Sequence, residues 1–314
     1  GTTLNFAGVD AGTKSVTVEK GATISGSGTI GSASNNNVSV TVDNTSTIKA
    51  GLGGANNTLT ILGNLDVEGI SDFSGLGGNG SGKSSTGSII VSGDLTLNGT
   101  ISVTDLSSSY GPGVQNLYQY GGTLNGTILD NSIKLVMDGN TVTNVGQYLQ
   151  SGNGQVNLIL SDGATLNFWN GRTTVAGVHV NGGDGTWTQG DSTPTNWTDS
   201  TGATPASSQA KDFAVFEQKG GTVTVAGNVD VAGMQFTNTQ GNKTGELYEL
   251  TPQDTQSSIT LYGTAADKNS TAFDVSSDAN NDAQTTGMLT NESNLVSVIR
   301  VGSGSNLSGT GLST

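Results

Sequence analysis

No cysteine occurs in the sequence, so neither a disulfide nor a thiolate metal site stabilises the chain, and a packed core has to do so. The same absence suits a polypeptide that crosses an oxidising compartment unfolded, where a premature disulfide would block passage. Charge is scarce at 11% and runs into no blocks, so self-repulsion does not hold the chain open. Basic residues are scarcer still: 11 Lys and Arg stand against 25 Asp and Glu. The resulting net charge of -14 repels a phosphate backbone and argues against nucleic acid as a partner. Apolar runs such as Leu158-Ile159-Leu160 fall far short of the roughly 20 residues a bilayer-spanning helix needs, so no membrane insertion by this segment is expected. The i, i+3, i+4, i+7 pattern of an amphipathic helix is also missing. The sequence starts at Gly1 with neither Met nor an apolar leader, which places an export signal outside this segment or already removed.

What is present is glycine, 49 residues of it, set among Asn, Ser and Thr with only four prolines. Short strands joined by tight turns use this mixture. Leu, Ile, Val and Phe make up 70 of the 314 residues and recur at every second position: Val38, Val40, Val42; Leu59, Ile61; Val156, Leu158, Leu160; Val223, Val225. Alternate side chains share a face, so each run is a half-buried strand two or three apolar positions long. One unit repeats: Gly-Asn-Leu-Asp-Val-Glu-Gly from 63, Gly-Asp-Leu-Thr-Leu-Asn-Gly from 93 and Gly-Asn-Val-Asp-Val-Ala-Gly from 227. The interval between the first two suits a coil that carries several strands and turns. Strands this short form a continuous core only when coils stack. The expected fold is therefore all-β, a parallel β-helix (β-solenoid), with residues 1–314 as a single segment. Coils of about 20 to 25 residues would give roughly a dozen rungs and a rod about 60 Å long. Three stretches break the alternation and are expected as projecting loops: approximately 107–122, 182–210 and 264–294. All four prolines, Pro112, Pro194, Pro205 and Pro252, fall outside the strand-like runs.

A resemblance rests on specific residues. Gly185-Thr186-Trp187-Thr188, Thr195-Asn196-Trp197, Ala214-Val215-Phe216, Gly221-Thr222-Val223-Thr224-Val225 and Val231-Ala232-Gly233-Met234-Gln235-Phe236 together resemble the passenger-associated strand repeat of autotransporters. Ile24 to Ile30 and Gly93 to Val103 are similar to passenger coils in style. The resemblance implies a right-handed parallel β-helix, export through an outer-membrane barrel not present in this chain, and an extracellular, cell-surface location. It also implies adhesion or cell-to-cell self-association. The partners would be a host or bacterial surface protein or glycan, or a copy of the chain on a neighbouring cell. The final turn-like residues read as a cut within a longer passenger. A stalk displaying another module is the alternative role.

Candidate chemistry is sparse. Trp187 and Trp197 flank a proline-bearing stretch, and with Tyr110 and Tyr118 they are the candidate contacts for a partner; the competing role for the tryptophans is to cap a coil edge. His179, the one histidine, sits between Val178 and Val180 and points away from them. Ser192 follows Gly190-Asp191 as some nucleophiles do, but Thr193-Pro194 follows it and no histidine lies downstream, so catalysis through it is not expected. A polysaccharide lyase on this fold needs carboxylates beside a basic residue, and Arg172 and Arg300 are the two arginines. The acids Asp274, Asp278 and Asp282 are spaced by four where a calcium loop uses alternate positions. Thr-x-Thr pieces such as Thr58 to Thr60 and Thr222 to Thr224 raise a surface-templating role. The balance expects no enzyme, no metal and no cofactor.

Overall fold

In a computed structural model of the chain, the described residues are 2–6, 9–10, 12–50, 58–73, 88–106, 112–127, 132–137, 139–142, 146–171, 179–190, 196–237, 248–254 and 256–261, together with strands 273–275, 283–291, 299–301 and 307–312. All their regular structure is β, and nearly every strand pairing is parallel. Two compact units form, 1–108 with 115–158, and 109–114 with 159–314.

In the first unit each coil contributes one strand to each of three parallel sheets. The first face stacks Thr3–Phe6, Thr23–Gly26, Thr47–Ala50, Ile70–Asp72, Thr100–Leu106 and Ile133–Met137. The second runs from Val9–Asp10 through Thr29–Ile30, Leu59–Ile61 and Ile89–Val91 to Gly113–Tyr120. The third stacks Ser15–Val18, Val38–Val42, Gly63–Val67, Leu95–Leu97 and Leu124–Asn125. This is the parallel β-helix arrangement.

The alternation in the sequence becomes columns of like residues. On the third face Val16, Val40, Leu65, Leu95 and Leu124 are in register, with Val18, Val42, Val67 and Leu97 two positions on. Leu65, Leu95 and Leu97 are all at most 3% exposed. The repeated heptapeptides from 63 and 93 are thus adjacent rungs, Leu65 over Leu95. Their glycines have a steric cause: a Cβ on Gly99 would collide with the Gly69 carbonyl one coil below, and one on Gly63 with the Val38 backbone. The turns also bond in columns. Gly93 N–H donates to Gly63 O at 2.8 Å and Gly122 N–H to Gly93 O at 2.9 Å.

Coil length varies more than expected. On the first face Thr3 pairs with Thr23, Thr23 with Thr47, Thr47 with Ile70 and Ile70 with Thr100, so the coil that begins at Thr3 is the shortest of these and the one that begins at Ile70 the longest. The extra residues enter mainly between the first and second faces. That connection is Ser27 and Gly28 in one coil and spans 73–88 in another.

The second unit repeats the architecture. Leu166–Trp169, Asp212–Glu217, the latter half of Asn228–Thr237, Phe273–Val275 and Ile299–Val301 form one parallel stack. Gly185–Thr188, Gly221–Ala226, Tyr248–Pro252, Ala283–Asn291 and Leu307–Leu312 form another. Ser258–Leu261 bridges the first half of Asn228–Thr237 to the latter half of Ala283–Asn291. Antiparallel strands close sheet edges: Asn140–Val142 pairs with Ile133–Met137, and Trp197–Thr198 pairs with Leu166–Trp169 and in turn with Pro205–Ala206. Covering an edge removes a row of unpaired backbone groups.

Several expected loops are strands. Within 107–122, Gly113–Tyr120 is an eight-residue strand, because Tyr118 joins the apolar column above Ile89. Within 182–210 lie Gly185–Thr188, Trp197–Thr198 and Pro205–Ala206, and within 264–294 lie Phe273–Val275 and Ala283–Asn291. Pro205 opens a strand and Pro252 closes one, positions at which a missing N–H is tolerated. Pro194 lies outside the described residues.

Candidate contact surface

Three of the four aromatic contact candidates are buried. Trp187 is 0% exposed, Trp197 3% and Tyr118 0%, so no partner reaches them. Tyr110 lies outside the described residues. The tryptophans fill the core of the second unit with Trp169, Phe216, Phe236 and Tyr248. Trp197 packs edge-on against Trp169 and against Trp187, each at 5.0 Å between centroids, while Phe216 and Phe236 stack in parallel at 4.7 Å. Their polar atoms bond inward: Trp169 Nε1–H donates to Gly183 O at 2.7 Å, Trp187 Nε1–H to Ser208 Oγ at 3.1 Å, and Tyr248 Oη–H to Glu217 O at 2.8 Å. The aromatic and aliphatic residues within the passenger resemblance are therefore core residues, while Thr186, Thr188 and Thr222 face outward. Tyr118 meets Phe73 edge-on at 5.2 Å and shares a 2.6 Å hydrogen bond with the Ser71 hydroxyl; burial pushes its phenol pKa up.

Of the remaining candidates only Asp274 and Arg300 come into register among the described residues. His179 is half-buried beside the turn at Gly202, and Ser192 lies outside the described residues. Asp278 and Asp282 also lie outside them, as does Arg172, and Asp274 and Arg300 are in register as backbone positions only. Among the described residues no three His, Asp or Glu side chains converge. Threonines in register recur, as in Thr186, Thr224 and Thr251 and again in Thr286 and Thr310, and in the first unit other residues interrupt the columns, Ile70 after Thr47 and Asp66 after Thr41.

What the fold offers a partner is the outward half of each strand. On the third face of the first unit Thr17, Thr41, Asp66, Thr96 and Asn125 form one outward column. At its turns Asn64 Oδ1 accepts from Asp94 N–H at 2.8 Å, and Asp94 Oδ1 accepts from Thr123 N–H at 2.7 Å. Asn98 Nδ2–H donates to Glu68 Oε1 at 2.6 Å. Partial burial and then the neighbouring Glu68 carboxylate raise the pKa of Asp66. Asp43, at a turn, goes the other way. Asp43 is held down at about 2, by the Ser46 hydroxyl first and also by the Thr45 hydroxyl and the N–H groups of Thr45 and Lys20.

The first face differs in charge. Its outward columns are Thr23, Thr47, Ile70, Thr100 and Ser25, Lys49, Asp72, Ser102, Lys134, the two serines lying buried beneath their neighbours. Lys49 Nζ lies 3.2 Å from Asp72 Oδ2, the two side chains 34% and 23% exposed, and Ile70 is 41% exposed beside them. Sequence reasoning passed over these residues. Alternation alone turns Lys49 and Asp72 outward, but that they are neighbours depends on how many residues intervene.

Comparison with known proteins agrees with the sequence resemblance. No family model matches the chain, and no solved structure matches it. A stretch of 206 residues, 63% of the chain, is 38% identical to the adhesin BmaC autotransporter of Brucella suis biovar 1 (strain 1330). The matched stretch spans 6% of that protein's length, so the chain is similar to a short part of a much longer autotransporter adhesin.

Proposed function

We propose that this chain is a contact segment of an exported, cell-surface autotransporter adhesin, non-catalytic, presenting outward polar columns to a surface protein, a glycan or a neighbouring copy. The observation that carries this reading is the 38% identity over 206 residues to part of an adhesin autotransporter. The geometry supports it. Apolar side chains are spent on the core, and Tyr118, Trp187 and Trp197, three of the four aromatic residues that would have marked a ligand cleft, are buried. The outward positions hold Thr, Ser, Asn and Asp, which give many hydrogen bonds of about 0.5–1.5 kcal/mol net each, so adhesion would come from number rather than from one strong site.

The test is to display the chain on cells that do not adhere and to count those retained on epithelial cells, on immobilised glycans and on bare surfaces. Retention above that of cells displaying an unrelated β-solenoid of equal length supports the reading. Retention no greater than that control would leave the chain as a stalk. Release of shortened chains from an acidic polysaccharide incubated with the purified segment would make it an enzyme.

A further inference from the structure

We infer that the Asn125-Gly126 step, on the last rung of the third face of the first unit, is a site of self-modification, at which the chain converts its own Asn125 to aspartate and isoaspartate with water as the reagent.

The sequence holds Asn-Gly steps at Asn79, Asn98, Asn125, Asn153, Asn170 and Asn181. Glycine after asparagine leaves the next peptide nitrogen open to the side chain, since no Cβ stands in its way. The Gly126 nitrogen attacks the side-chain carbonyl carbon of Asn125, the bond from that carbon to the amide nitrogen breaks, and ammonia leaves with the proton of the attacking nitrogen. Water then opens the cyclic imide at either carbonyl, giving aspartate or isoaspartate. Nothing is oxidised or reduced, and a neutral amide has become a carboxylate.

The fold separates the steps that lie among the described residues, because attack needs a carboxamide free to turn and a peptide nitrogen free to receive it. Asn98 is held on every side: its Nδ2–H donates to Glu68 Oε1 at 2.6 Å, its Oδ1 accepts from Thr127 N–H at 3.2 Å, and Gly99 N–H donates to Val67 O at 3.2 Å. Asn170 is 4% exposed and its Oδ1 accepts from Asn181 N–H at 2.8 Å. Asn181 Nδ2–H donates to Asn170 Oδ1 and to His179 O, and Gly182 behind it is buried. Asn153 and Gly154 make the half-buried turn between Gln147–Gly152 and Gln155–Leu160, both at left-handed φ, with Gly154 O accepting from Tyr120 N–H at 2.7 Å. Asn125 and Gly126 are different. Leu124–Asn125 is the edge strand of its sheet, both residues of the step are exposed, and no described group bonds the Asn125 carboxamide or the Gly126 N–H.

The product changes what the third face presents. Asn125 ends the outward column Thr17, Thr41, Asp66, Thr96, Asn125, so conversion sets a carboxylate beside Thr96 and adds to the acid already at Asp66. The isoaspartyl form also runs its backbone through the side-chain carboxyl carbon, and that longer path precedes Thr127, whose N–H is tied to Asn98 Oδ1. Imide formation and opening run one way in water, so the converted fraction rises with the age of the chain.

The test incubates the full chain in warm, mildly alkaline buffer, folded in one sample and unfolded by guanidinium chloride in another, and follows each Asn-Gly step by peptide mass mapping with the aspartyl and isoaspartyl forms separated by chromatography. In the folded chain Asn125 should convert before Asn98, Asn153, Asn170 and Asn181, at least about tenfold faster than Asn98, whose bonds must break first. In the unfolded chain these rates should converge, since only flanking residues then distinguish them. Asn125→Gln, whose longer side chain would have to close a larger ring, should lose the early product and leave the other rates unchanged. Folded-state conversion of any of the other four as fast as that of Asn125 would overturn the proposal. So would a lead for Asn125 that persists undiminished after unfolding, because flanking sequence rather than the fold would then set it.

Discussion

Replacing Leu97 by Asp should cost several kilocalories per mole while a change at its neighbour Thr96 costs almost nothing. Leu97 is 3% exposed and sits in register with Val67, which is fully buried. Removing its isobutyl group alone costs about 2–5 kcal/mol, because coils held above and below relax little into the space. A carboxyl with no partner in that space adds about 1–3 kcal/mol even when it enters protonated. Thr96 points outward between Asp66 and Asn125, so Thr96→Asn should stay within about 0.5 kcal/mol. Thr96→Asp is a poorer control, since a carboxylate one rung from Asp66 adds like-charge repulsion of about 0.2–1 kcal/mol. For a unit of this size about 1 kcal/mol moves Tm by about 2–4 °C, so thermal unfolding followed by circular dichroism should show Leu97→Asp lower by about 6 °C or more. Equal shifts for Leu97→Asp and Thr96→Asn would refute the assignment of inward and outward faces.

Further outcomes follow from the same geometry. Gly99→Ala should destabilise by more than the few tenths of a kilocalorie typical of a turn, because its Cβ meets the Gly69 carbonyl; Gly139→Ala, with open space around it but a left-handed φ of 78°, should cost only the backbone strain, about 1 kcal/mol, and urea unfolding separates the two. Trp197→Ala should lower the unfolding midpoint of the second unit through a loss of about 3–5 kcal/mol, read from the shift of the tryptophan fluorescence transition. Asp43 has a folded pKa of about 2 against an ordinary 3.8, so its contribution is complete above pH 3.8 and is lost as pH falls toward 2. Melting temperature should therefore drop across that window, and the drop should shrink in Asp43→Asn. Asp66 has the opposite sign, its pKa being raised, so Asp66→Asn should leave stability at neutral pH unchanged or higher.

Alternation made the fold class and most of the core legible. Val38, Val40 and Val42, and likewise Leu95 and Leu97, point inward as period two requires, because a half-buried strand writes its burial into the sequence. The aromatic residues were less legible. Asp212–Glu217 is buried on both faces, so its alternation is erased, and nothing local shows that Trp187 and Trp197 converge on Phe216. Register was legible only where a coil begins and ends on the same motif. The heptapeptides from 63 and 93 reveal that Leu65 lies over Leu95, but Lys49 over Asp72 depends on the coil from Thr47 to Ile70, which is shorter than the one after it and carries no such repeat at its ends. Residues 107–122 read as a loop because Pro112 and its glycines precede a strand whose positions in register with Ile89 and Val91 are tyrosines rather than aliphatic residues.

The central claim, adhesion through many weak outward contacts, is tested most directly by coating beads with the chain at increasing density and measuring the fraction retained on a target surface under flow. The account predicts retention that rises more steeply than density, near zero for sparse chains and high for crowded ones. Retention proportional to density from the lowest coating upward would reveal one strong site per chain and contradict it.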